Sequence, residues 1–159
     1  MTSFINAGNI DRDANRNIIS SNEQFRLEST WTFVASTTGA VAAHTLFTVT
    51  GNVLVTVFGI CDTTIASGGA PTFEVGVTGN TAALIAQTTA KNIADGDIWV
   101  DSTDTRVGVG AVPGMQVLND GNDIILTINT ATLTGGVIDF YCLWRPLDST
   151  GNVTVTTPA

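Results

Sequence analysis

Charge is scarce in this chain. Asp, Glu, Lys and Arg make up 13% of its 159 residues, against a usual share of about 25%. Histidine occurs once, as His44, and lysine once, as Lys91. A single imidazole leaves a Ser, Thr or Cys nucleophile almost no conventional base, and it rules out a His-rich metal site. G-x-S-x-G, H-E-x-x-H and the Walker A pattern are all absent. "GVGAVPG" is glycine-rich but lacks the phosphate-binding lysine, and it reads as a turn. Glutamate is limited to Glu23, Glu28 and Glu74. Cysteine is limited to Cys61 and Cys142, in the apolar runs "VTVFGIC" and "DFYCLW". They read as buried thiols, since a reducing compartment disfavours a disulfide between them. No apolar run approaches the roughly 20 residues of a spanning helix. The first residues, "MTSFINAGNIDRDANRNIIS", show no apolar core of a signal peptide. A membrane role is therefore not expected, and the expected compartment is a cytoplasm.

The cations that exist are Arg12, Arg16, Arg26, Lys91, Arg106 and Arg145, and they form no run. With a net charge of −8, a nucleic-acid backbone is not an expected partner. The densest carboxylates are Asp95, Asp97, Asp101 and Asp104 in "ADGDIWVDSTD", with Asp120 and Asp123 in "NDGND". Asp-x-Asp spacing offers two oxygens to calcium, but no glutamate closes an EF-hand loop. Asp and Asn are equally the ordinary residues of tight turns. No catalytic residue, metal site or cofactor is expected.

What the chain has in quantity is Thr, Val and Gly, the composition of a β-rich protein with many turns. Phe25, Leu27, Trp31 and Phe33 alternate with Arg26, Glu28, Thr30 and Thr32, as in a half-buried strand. "TLFTVT" and "VLVTVFGIC" read as a hairpin about Gly51-Asn52. In its second arm Val53, Val55, Val57 and Cys61 share one face, and Leu54, Phe58 and Ile60 share the other. A strand apolar on both faces must be covered twice, so it belongs inside a sheet or at a subunit contact. "PTFEVGVT", "IWVD", "RVGVG", "MQVL", "IILTINTATL", "GVIDFYCLW" and "NVTVTT" read as further strands. "TAALIAQTT" fits a strand or a short capped helix, with the strand favoured. About ten strands with turn signals roughly every 8 to 12 residues predict an antiparallel two-sheet sandwich, jelly-roll-like, with an Ig-like sandwich the alternative. Trp31 and Trp144 fall on core-facing positions, and Trp99, among acids, is the tryptophan expected at the surface.

Residues 1–24 differ from the β-rich domain expected at 25–159. They carry five asparagines, mixed charges and no sustained period, and they read as an extended arm. Phe4, Ile5, Ile10, Ile18 and Ile19 punctuate it like anchors, and Arg12 and Arg16 could pair with a neighbour's carboxylates. These residues are the candidate interaction site.

The stretches "LFTVTGNVLVTVFGIC", "GNTAALIAQTT", "DGDIWVD" and "FYCLWRPL", spread over roughly 45 to 147, resemble segments of virion structural proteins of tailed bacteriophages. The nearest role is a capsid decoration, or cement, protein. The resemblance implies a non-enzymatic protein on the outer capsid surface of a virion, assembled in the host cytoplasm. It further implies the major capsid protein as partner, self-association as a trimer or a dimer, with the trimer favoured, and a bridging contact between capsid subunits. It carries over no binding residue. The other expected classes are a receptor- or glycan-binding module of a tail fibre or spike, and a tail or head-completion component.

Overall fold

The structure is a computed structural model that describes residues 24–101 and 114–156. The arm, with Phe4, Ile5, Ile10, Arg12, Arg16, Ile18 and Ile19, lies outside the described residues, as do Asp104 and the whole of "RVGVG", Arg106 included. Ten strands are described: β1 (Phe25–Thr32), β2 (Ala43–Thr50), β3 (Val53–Ala66), β4 (Thr72–Val77), β5 (Asn80–Thr89), β6 (Ile98–Trp99), β7 (Gln116–Leu118), β8 (Ile124–Asn129), β9 (Gly135–Pro146) and β10 (Asn152–Val155). A 3₁₀ turn at Ala90–Asn92 follows β5. The ambiguous "TAALIAQTT" is strand, within β5.

The strands build an antiparallel two-sheet sandwich. One sheet runs β1-β9-β3, with the short β6 and β7 both paired to the far side of β3. The other runs β10-β2-β8-β4-β5. Alternation drives the assembly. β1 buries Trp31, with Phe33 just beyond its end, while Arg26, Glu28, Thr30 and Thr32 face out. β9 buries Ile138, Phe140, Cys142 and Trp144, and β8 buries Ile124, Leu126 and Ile128. These side chains form one core with Val53, Val55, Val57 and Cys61 of β3 and Phe47, Phe73 and Ile85 of the opposite sheet.

The expected hairpin at 45–61 does not form. β2 pairs with β8 and β10, whereas β3 pairs with β9, β6 and β7. Gly51-Asn52 therefore carries the chain from one sheet to the other. Two adjacent runs that are both apolar inward can face each other across a core as readily as pair edge to edge, and here they do the former. The expectation that β3 is an inner strand is met, since it has partners on both edges.

Both cysteines are buried free thiols. Cys61 sits opposite Ile138, while Cys142 sits opposite Val57. Their offset of four residues along paired strands is about 13 Å, beyond the roughly 7 Å that a disulfide tolerates. Burial pushes the Cys142 thiol up to about 12.

Candidate interaction surface

The two outer faces of the sandwich differ in chemistry. On the β2-β8-β4 sheet, Thr48, Thr50, Thr72, Glu74, Thr127 and Thr154 alternate with the inward core residues. Glu74 is buried beneath this face, where it accepts hydrogen bonds from Thr81 Oγ1 (2.5 Å) and Gln87 Nε2 (3.4 Å). Most of this surface is short polar side chains, and the Oγ1 of Thr127 is the one buried polar atom on it with no hydrogen-bond partner among the described residues.

The outer face of β9 and β3 is apolar at its centre. Leu54, Phe58 and Ile60 of β3 stand beside Tyr141 and Leu143 of β9, all half-buried. Phe58 and Tyr141 are register partners, and their rings stack with centroids 5.2 Å apart and planes 16° from parallel. Ile98 and Val117, the register partners of Ile60 and Leu54 on β6 and β7, extend the band and are 63% and 60% exposed. Charge stands around this centre, with Arg145, the register partner of Leu54, at one end and Asp139, the partner of Ile60, at the other. Arg26 lies over the Tyr141 ring at 5.7 Å and 3.7 Å from Glu28. Asp139 accepts a 2.6 Å hydrogen bond from Thr30 Oγ1. Desolvation, with Glu28 and Asp139 nearby, raises the Tyr141 phenol above its usual range. The chemistry of this face is that of a contact, an apolar centre inside a polar rim.

The sequence singled out Leu54, Phe58 and Ile60 as a second apolar face, but not their neighbours on β9. Tyr141 and Leu143 alternate with Phe140 and Cys142, so "DFYCLW" carries the same two-sided signal as β3. The pairing of the two strands is what fuses their outward residues into one patch.

Trp99 is a correction. It is 4% exposed, not at the surface. Its ring meets Phe73 edge-on at 4.4 Å and lies 6.1 Å from Phe140, and its Nε1 donates to Thr88 Oγ1 at 3.1 Å. The neighbouring acids flank the two-residue strand, Asp95 and Asp97 before it and Asp101 after it, so they say nothing about which way Trp99 faces. Trp31 and Trp144 are buried as expected.

The remaining candidates are fastenings. His44 is half-buried, its Nε2 bonded to the Ala40 carbonyl at 3.0 Å and its ring edge-on to Trp31 at 5.6 Å. Asp97 accepts from the Ala94 N–H, and the Asp95 N–H donates to Thr64 Oγ1. Asp123 accepts from the Val49 N–H at 2.8 Å and Asp120 from the Gly51 N–H at 2.9 Å. Asp148 accepts from the Asn52 and Thr150 N–H groups, both at 2.9 Å. Three aspartates from two loops thus hold the β2–β3 link. Among the described residues, no group of three or more His, Cys, Asp or Glu side chains could hold a metal ion, and no helix is long and apolar enough to cross a membrane. Comparison with family models, with curated proteins and with solved structures found no match to this chain.

Proposed function

We propose that this chain is a non-enzymatic structural protein of a phage virion, a homo-oligomer, with a trimer the expected form, that decorates the capsid and bridges neighbouring capsid subunits. The observation that carries the reading is the contrast between the outer faces. One is a threonine-rich polar surface, and the other is an apolar, aromatic-centred band rimmed by Arg26, Glu28 and Asp139. Such a face gains from being covered by another protein surface, at about 25 cal/mol per Å² of apolar area removed from water before ordering costs. The phage-like stretches supply the setting.

The strand order supports the jelly-roll form of the sandwich. β1-β9-β3-β6, with β7 also on β3, faces β10-β2-β8-β4-β5, and β1 to β4 alternate between the sheets, as in two wrapped Greek keys. An Ig-like sandwich places its first two strands in one sheet, and here they lie in opposite ones.

The test is immunogold labelling of purified particles with an antibody against this chain, combined with copy counting by quantitative mass spectrometry. Label over the whole head in many copies is expected. Label at the tail tip or the neck in few copies would replace this reading with the fibre or completion role, and absence from particles would end it.

A further inference from the structure

The described chain begins on the sheet that carries the apolar face. β1 is the edge strand of the sheet that carries the face. Phe25 opens it opposite Trp144, so residues 1–23 join the sheet at the end where Leu143, Leu54 and Val117 stand. The opposite outer face, rich in threonine, offers apolar anchors no comparable seat.

Length then decides which copy is reached. From Phe4 to Ile19 an extended chain spans about 50 Å, and from Phe4 to Phe25 about 70 Å. β9, the strand that runs the length of the face, has 12 residues, or about 40 Å. The sequence between Phe4 and Ile19 has no helical period that would shorten it. Running extended, the segment would overrun its own subunit's face, and its first anchors would arrive beyond the edge. Charge acts in the same direction. Residues 24–159 hold eleven carboxylates against four cations, while Arg12 and Arg16 lie between the anchors.

We infer that each copy seats Phe4, Ile5 and Ile10 of its N-terminal segment on the apolar face of a neighbouring copy, against Leu54, Phe58, Tyr141 and Leu143, with Arg12 and Arg16 facing the neighbour's Asp139 and Glu28. This rests on the proposal that the face is an assembly contact, and it names what fills the face. Every copy gives one segment and receives one, so the exchange closes into a ring when the rotation between copies returns to the start, and the closed ring gains by avidity.

Two full-length populations with different tags test it, one with Ile5→Cys and the other with Leu143→Cys. The native Cys61 and Cys142 are buried and do not compete. After mixing and mild oxidation, a disulfide-linked species containing both tags is expected. In parallel, the full-length variant Phe4→Asp/Ile5→Asp is expected to keep the parent's circular dichroism and to sediment as a single chain. If the mixed population gives no cross-link while a chain carrying both cysteines closes internally, the segment covers its own face and the inference is wrong. If Phe4→Asp/Ile5→Asp stays fully oligomeric, the assembly reading stands and the segment is not its agent. If the unaltered chain is monomeric at every concentration and bound to particles as single copies, self-association fails and the exchange falls with it.

Discussion

At the scale of single residues, the link between the sheets is held more tightly than its sequence suggests. Gly51 has a φ of +64°, and a Cβ there would lie 2.5 Å from Thr150 Oγ1 and 2.6 Å from the Gly151 nitrogen. Gly51→Ala combines a left-handed backbone with a clash against main chain, and it should destabilise the fold by about 1–3 kcal/mol, read from the urea midpoint. Beside it, Asp148 is held well below the usual carboxylate range, first by Thr150 Oγ1, then by the backbone N–H groups of Asn52 and Thr150. A carboxylate depressed in the folded state contributes stability that is fully present above its unfolded pKa of about 3.9 and is lost as pH falls below it. Thermal melts between pH 6 and pH 2 should show that loss, and Asp148→Asn should melt lower at pH 6 and respond less to acid.

At the scale of elements, a strand's two faces obey different rules. Val55 of β3 faces the core and is 0% exposed, whereas Phe58 of the same strand is half-buried on the outer band. A lysine at Val55 buries an unpaired charge among Val53, Trp144 and their neighbours, and should abolish the cooperative transition in urea. Thr154→Lys on β10 should fall within about 0.5 kcal/mol of the parent, as surface substitutions do. Phe58→Lys separates folding from assembly: the transition should persist while sedimentation shows loss of the oligomer. Equal loss of folding in all three variants would mean that the outer band is core. Trp99 illustrates the same rule from the other side, because a two-residue strand carries it across the sandwich to Phe73 and Thr88.

At the scale of the whole molecule, most pairing joins distant parts of the chain. β1 pairs with β9, so Phe25 meets Trp144, and β2 pairs with β10, so Val49 meets Val153. Neither sheet can be completed until the last strands have emerged. Loop closure must precede the contacts that reward it, which places refolding in the range of about milliseconds to seconds. Stopped-flow tryptophan fluorescence should report this time directly, since Trp31, Trp99 and Trp144 all enter the core. Refolding in microseconds would show that local structure dominates instead.

Alternation and turn chemistry determined a good deal without any coordinates. The period of two in "FRLESTWTF", "VLVTVFGIC" and "GVIDFYCLW" is a property of the pleated backbone, so it marked the strands, their buried faces and the sandwich class. The same rule made β3 an inner strand and exposed its second apolar face. Partnership between strands was not legible. Whether β2 pairs with β3 or crosses to the other sheet depends on which distant edges compete for it, and β8, β9 and β10 win that competition. The joining of Phe58 to Tyr141 in one surface band follows from that pairing and from nothing local. Trp99 was misread because its acidic neighbours report on a turn, while its direction is set by the space left between Phe73 and Phe140. The aspartates could be read as turn residues, but not as the acceptors that fasten Val49, Gly51 and Asn52, because those bonds join positions about seventy or more residues apart along the chain. Short-range sterics and hydropathy are written in the order of residues, whereas edge competition and inter-sheet packing exist only once the whole chain has closed.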